Sequence, residues 1–370
     1  MSKRDEIQQE ALDIAFKHKR CGLGISMGVG KTLIGLKYIN HYQDLNMGKL
    51  NVLVVAPKLS IFDSWRSDAE KFGISLDNVE FTTYLSLNKL NPHHYDLVIL
   101  DECHSLLPNH MSFLGMYNKR ILGLTGTPPR FSNSDKGMMV RTFCPIMYKY
   151  ITDDAVGDKI LNDYRIIVHY LSLSTDNTLQ VKAGANKFYT SERKSYDYWT
   201  KRIMEAQTKK QEQIGSVMRM RVMMDFVTKE IYTKQLLAEI EDKCIIFCNT
   251  QDQADRMCKH SYHSNNPDAE ANLDDFKHNR ISQLSCVLQL NEGINIPNLR
   301  AGIILHAYGN ERKSSQRIGR LLRLNPDDMA IVHILCYKST VDEKWVREAL
   351  KDLDPEKIKH HQVVEYDQSF

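Results

Sequence analysis

The chain has 370 residues, 26% of them charged and 42% in the AVILMFWYC group, with a formal net charge of +3. That length is too great for one ordinary core and fits two to three packed units. No apolar run is long enough to cross a membrane, and a total charge near neutral leaves nucleic-acid binding open, because a groove needs only locally placed cations.

Met1-Ser2-Lys3-Arg4-Asp5-Glu6 opens a polar helical pattern with no apolar signal core. Eight cysteines in no framework spacing suit a reducing compartment, so a cytoplasmic protein is expected. Short β-branched runs at Gly22–Ser26, Asn51–Ala56, Asp96–Leu100 and Arg120–Leu124 alternate with helical stretches, the pattern of a parallel sheet covered by helices. A loop rich in Ser, Asp and Gly follows at Arg130–Lys136. Arg165–Leu173 reads as a further strand, and Asn186 to Asp242 as mostly helical. A second alternating region runs through Cys244–Asn249, Ser285–Leu290, Ala301–His306 and Ala330–Cys336. From Asp342 the tail reads as a helix ending near Asp354-Pro355, where proline discourages continuation. The expected fold is α/β, with two tandem parallel-sheet lobes and a helical segment between them. Its expected divisions are 1–150, a connector and helical segment at 151–242, a second lobe at 243–345, and a tail at 346–370.

Gly22–Ser26 is followed by Met27-Gly28-Val29-Gly30-Lys31-Thr32 and then a helical run. Strand, glycine turn and helix make a nest of backbone N–H groups at a positive helix end, suited to phosphate. Lys31 would reach the β- and γ-phosphates of ATP, and the Thr32 hydroxyl would help hold Mg²⁺. Ile25 stands where the strict pattern has its first glycine, yet Gly28 and Gly30 still supply the permissive turn.

Leu97–His104 reads LVILDECH, a buried-strand pattern ending in two carboxylates. In an open α/β sheet, ligands bind beyond the carboxyl ends of the strands, where these side chains emerge. Asp101 suits a Mg²⁺ partner, and Glu102 suits orienting and deprotonating an attacking water. Alone, the pair reads more readily as an acidic helix cap. With Lys31 in the same lobe, the nucleotide reading prevails.

These residues, with others in order, resemble helicase superfamily 2, of the restriction-type and phage branch-migration group. Met27–Thr32 resembles motif I, Val54–Trp65 motif Ia, Thr82–Leu87 motif Ib, and Asp101–His104 motif II as a DECH variant of the DEAH box. Leu124–Pro128 resembles motif III, Ile245–Asp255 motif IV, Leu288–Pro297 motif V and Ser315–Arg323 motif VI. The resemblance implies RecA-like lobes and a nucleic-acid-dependent ATPase. It implies that Arg320 and Arg323 are arginine fingers, Gln316 senses the γ-phosphate, and Arg317 links across the family's cleft. Gly293 and Asn295 would approach the ribose or phosphates, although the family often has Asp at the second position. Gln8 matches the glutamine that reads adenine, with Asp5 where the family usually has Arg. Motifs Ia, Ib, III and IV place Pro57, Lys58, Thr83, Thr125, Thr127, Asn249 and Thr250 toward nucleic acid.

Pro145–Leu173 resembles the connector of DNA-acting restriction, repair and branch-migration helicases, and the resemblance therefore favours DNA over RNA. The function it implies is an ATP-dependent DNA helicase or translocase acting on forks, branches or duplexes. An RNA helicase and an ATP-gated clamp that does not unwind remain the alternatives. A monomer is expected, with a protein partner supplying specificity. Between Lys187 and Lys210 lie seven Lys and Arg against three Asp and Glu, interleaved with Phe188, Tyr189, Tyr196, Tyr198 and Trp199. That mixture suits phosphate contact and base stacking, or equally a helix with one solvated and one packed face. Cys258, His260 and His263 lack a fourth ligand at zinc spacing, and no zinc site is expected.

Overall fold

A computed structural model describes residues 2–26, 28–129, 131–183, 186–287, 296, 298–307, 328–351 and 353–364. These form two compact units, divided between Asp163 and Tyr164. In the first, β1 (Arg20–Ile25), β2 (Val52–Ala56), β3 (Val79–Thr83), β4 (Leu97–Asp101), β5 (Arg120–Thr125) and β6 (Ile146–Tyr150) make one sheet. Its order is β3-β2-β4-β5-β1-β6, and all its pairings are parallel. β2 (VLVVA) and β4 (LVILD) are buried along their whole length, as a strand covered on both faces must be. The unit's helices are α1 (Lys3–Lys17), α2 (Lys31–Leu45), α3 (Ile61–Phe72), α4 (Met111–Leu114), α5 (Asp135–Phe143) and α6 (Thr152–Gly157). Ser2 caps α1 through a reciprocal bond with Asp5, and the helix buries Ile7, Gln8, Ala11, Leu12 and Ala15.

In the second unit the sheet order is β11-β12-β10-β13-β14-β7-β15. Its strands are β7 (Asp163–Leu171), β10 (Cys244–Cys248), β11 (Ser261–Tyr262), β12 (Gln283–Val287), β13 (Ala301–Ile304), β14 (Met329–Tyr337) and β15 (Ile358–Gln362). A separate antiparallel pair, β8 (Leu179–Ala183) and β9 (Asn186–Thr190), precedes the helices. These are α7 (Glu192–Met204), α8 (Lys209–Met224), α9 (Thr228–Glu239), α10 (Gln251–Met257), α11 (Ala269–Lys277) and α12 (Val341–Leu350). The expected helical segment therefore begins only at Glu192. Phe188, Tyr189 and Thr190 favour the extended chain, and Ser191 caps α7 by accepting from the Lys194 N–H. Beyond α12 the chain returns as β15, paired in parallel with β7 from Ile358↔Ile166 to Gln362↔Tyr170. Among the described residues no helix is long and apolar enough to cross a membrane.

Candidate functional site

β1 delivers the chain to a tight loop and then to α2. Gly28 (φ 88°) and Gly30 (φ 105°) both lie in the left-handed region, where a side chain would be strained. Gly30 also has no room for one, since a Cβ there would sit 2.6 Å from Gln8 Nε2. As the residue capping α2 it brings no side chain to the first-turn N–H groups, which are left for an anion at the positive helix end. Lys31 and Thr32 open that helix, both partly exposed, while Val29 is fully buried. A polyphosphate fits this cradle.

Gln8 braces the loop from α1. Its Nε2 donates to the Val29 carbonyl at 2.9 Å, and its Oε1 accepts from Lys37 Nζ at 3.0 Å. Buried to 2% exposure, it retains one amide N–H beyond these bonds.

β4 ends on Asp101, at the same carboxyl edge of the sheet as the loop after β1. Asp101 Oδ2 accepts from Trp65 Nε1 at 2.9 Å and Oδ1 from the Glu102 N–H at 2.9 Å. Burial, and after it the neighbouring Glu102 charge, raise the Asp101 carboxyl above the ordinary carboxylate range. At Glu102 burial again opposes ionisation, but the His104 hydrogen bond and the Lys31 charge outweigh it and hold the group ionised. Glu102 sits at φ 48°, an uncommon conformation for a residue other than glycine. Its carboxylate is fixed from the end of β5. His104 Nδ1 lies 3.2 Å from Glu102 Oε2 and 2.8 Å from Thr125 Oγ1, while the Thr125 hydroxyl donates to Glu102 Oε2 at 3.4 Å. The Thr127 N–H donates back to Thr125 Oγ1 at 3.1 Å. An ionised, oriented Glu102 can accept a proton from water. The oxygen donor set of Asp101 and Thr32 suits Mg²⁺.

The structure thus brings Gln8, Gly28, Val29, Gly30, Lys31, Thr32, Asp101 and Glu102 together in the first unit. Thr125, expected toward nucleic acid, is fully buried, and its hydroxyl is engaged with Glu102 and His104. Thr127 belongs to the same network. Pro57 and Lys58 follow β2, and Thr83 ends β3, with Lys58 exposed. In the second unit Asn249 and Thr250 follow β10, where Thr250 caps α10 by accepting from the Gln253 N–H at 3.2 Å. Met27, Gly293, Asn295, Gln316, Arg317, Arg320 and Arg323 lie outside the described residues. Cys258, His260 and His263 are turned to separate partners: the Gln283 carbonyl, Asn272 Oδ1 and Asp255 Oδ1.

Two site residues were not singled out from sequence. His104 was visible only as the last letter of DECH, and Trp65 as the last of VVAPKLSIFDSW. Trp65 reaches Asp101 because Gly35 clears the way, a Cβ there lying 2.4 Å from Trp65 Cη2.

Residues 3–83 match the model of the Type III restriction enzyme res subunit, and residues 224–325 that of the helicase conserved C-terminal domain. The chain belongs to helicase superfamily 2. It is an ATP-hydrolysing, nucleic-acid-dependent enzyme. It is 23% identical to the DNA 3'-5' translocase XPB2 of Sulfurisphaera tokodaii, over 92% of this chain and 83% of that one. The fold is similar to that of the Type ISP restriction-modification enzyme LlaBIII bound to DNA (TM-score 0.63, 14% identity, 99% of this chain and 31% of that one). It is similar also to the helicase domain of Pyrococcus furiosus Hef (TM-score 0.51, 14% identity, 93% of this chain and 96% of that one). The chain therefore spans about a third of the length of LlaBIII, 31%. Such likeness confirms the two parallel-sheet lobes expected from sequence.

Proposed function

We propose that the chain is an ATP-driven DNA translocase, coupling hydrolysis to movement on, or remodelling of, forks, branches or duplexes. One observation carries the reading. The phosphate cradle of Gly28, Gly30 and Lys31 and the Asp101–Glu102 pair meet at one carboxyl edge of a parallel sheet, with Glu102 ionised and fixed by His104 and Thr125. That is the equipment for hydrolysing a nucleoside triphosphate rather than for binding it alone.

Lys31 and the N–H groups opening α2 hold the phosphates, Thr32 and Asp101 hold Mg²⁺, and Glu102 takes the proton of the attacking water. When bound, the ion supplies charge neutralisation on the phosphates. Trp65 and the Glu102 N–H leave Asp101 oriented for that task. Gln316, Arg320 and Arg323 act as the γ-phosphate sensor and arginine fingers, with Arg317, Gly293 and Asn295 beside the nucleotide. Pro57, Lys58, Thr83, Asn249 and Thr250 contact the DNA backbone from the carboxyl ends of their sheets. The preference for DNA rests on the connector and on a relative named as a DNA translocase. Eight free cysteines suit work in the cytoplasm. A monomer that takes its specificity from a protein partner completes the proposal.

The test is ATP hydrolysis by wild type and Glu102→Gln with single-stranded DNA, duplex DNA, branched DNA or RNA. Strong stimulation by one DNA form, abolished in the variant, supports the reading. Stimulation by RNA alone makes the chain an RNA motor. Equal rates with every nucleic acid overturn the motor altogether.

A further inference from the structure

The pair β8–β9 is unlike the rest of the molecule. Among the described residues it joins neither large sheet, and its strands pair with each other in register from Leu179↔Thr190 to Ala183↔Asn186. An isolated hairpin of this length has little stability of its own. This one is rooted firmly. The buried Glu192, just past its end, accepts from the Ser174 N–H at 3.1 Å, the Thr228 N–H at 3.0 Å and the Thr228 hydroxyl at 2.8 Å. The Arg193 N–H closes the base on the Ser174 carbonyl at 3.1 Å.

From this root the hairpin exposes aromatic surface, with Tyr189 at 64% and Phe188 at 48%. Tyr189 stands two residues from the exposed Lys187 on β9, so both project from one face of the pair, about 6.6 Å apart along the strand. Lys187 is itself exposed, and its backbone is held in register by β8. The following helices add exposed Lys194, Lys201, Arg202, Lys209 and Lys210. From 179 to 224 the chain carries ten Lys and Arg against four Asp and Glu, although its net charge overall is only +3. Positive charge is therefore concentrated on this segment.

We propose that the Tyr189–Lys187 face of the hairpin binds a segment of single-stranded DNA, one base stacking on Tyr189 while a phosphate meets Lys187. This rests on the DNA reading above and adds where an unpaired strand is held. A paired base is covered on both faces by its neighbours. An exposed ring beside a lysine is therefore matched by an unpaired strand rather than by a duplex.

The experiment measures binding of a fluorescein-labelled oligo-dT and of a duplex of equal length by anisotropy, using the full chain without nucleotide. Tyr189→Ala weakens single-strand binding roughly tenfold, and Tyr189→Phe restores it. Lys187→Ala lowers the slope of log affinity against log salt by about 0.7. Duplex affinity and ATP hydrolysis without DNA stay as in wild type. Unchanged single-strand affinity in Tyr189→Ala and Lys187→Ala, with DNA still stimulating hydrolysis, overturns the proposal and leaves the DNA reading standing. A wild type that neither binds DNA nor responds to it overturns both. If Tyr189→Ala instead leaves DNA binding intact and turns a dimer into a monomer by light scattering, the face belongs to a second copy and the proposal falls.

Discussion

Lys229→Met should unfold the second unit far more readily than a surface change would. Lys229 and Asp342 are both fully buried, and Lys229 Nζ meets Asp342 Oδ2 at 2.5 Å. The same ammonium donates to the Leu305 carbonyl at 2.8 Å, lies 3.2 Å from His306 Nδ1, and sits 4.6 Å from the Tyr337 ring centroid. Methionine fills much of the space but removes the charge. Among the described residues Asp342 Oδ2 is then left with the Tyr337 N–H, at 2.9 Å, and Oδ1 has no hydrogen-bond partner to begin with. Breaking a buried pair on one side costs roughly 3–5 kcal/mol, because the surviving charge stays uncompensated. For a unit of this size that corresponds to a fall in Tm of roughly 6–20 °C. The double change Lys229→Met/Asp342→Asn removes both charges, keeps an acceptor for the Tyr337 N–H, and should recover most of the loss. Thermal melts followed by circular dichroism decide the matter. A fall below about 2 °C, or a double variant no better than the single one, would refute the reasoning.

Gly30→Ala should abolish ATP binding, measured by equilibrium titration with a fluorescent nucleotide, because φ 105° and the Gln8 amide together displace the loop. His104→Ala should lower kcat about 10–100-fold with little change in KM for ATP, as Glu102 loses the partner that orients it; an unchanged kcat in steady-state assays contradicts that role. Stability should fall as pH drops from 7 to 5. His169 is held to about 3 by burial and by the His333 and His361 charges, and His333 to about 4 by burial. Their unfolded-state value is about 6.5, so the unfolded chain takes up protons first, and stability present above that value is lost on the way down to the folded values. Urea midpoints should register roughly 2 kcal/mol for each histidine over this range, and His169→Gln should flatten the dependence.

Much of the fold was legible because parallel strands buried on both faces write themselves as continuous aliphatic runs. β2, β4, β5, β10 and β13 are of this kind, and each was expected within a few residues. The elements not foreseen carry mixed patterns. β3 (VEFTT) and β6 (IMYKY) are edge strands with partly exposed faces, and β15 (IKHHQ) is an edge strand almost without apolar residues. Its place beside β7 is settled by contacts such as His361 with His169 at 3.2 Å, which join residues far apart in sequence. Of the hairpin, β9 falls inside the segment that reads as helical, because the Lys-rich sequence after it has the composition of an exposed helix, while β8 carries no strand signal of its own.

In the site, spacing alone points to the loop after β1 and to the Asp101–Glu102 pair, which the structure gathers at one edge of the sheet. Partners acting through side-chain geometry stayed hidden. No periodicity indicates that Gly35 makes room for Trp65, that Trp65 reaches Asp101, or that Thr125 turns inward to Glu102. Those relations depend on which strands become neighbours, as β4 and β5 do here.

Movement along DNA powered by hydrolysis at Glu102 is tested most directly by triplex displacement. A third strand bound at one end of a duplex should be released by wild-type protein with ATP, and retained with Glu102→Gln or a non-hydrolysable nucleotide. Hydrolysis stimulated by that duplex with the third strand left in place would contradict the account and make the chain a clamp.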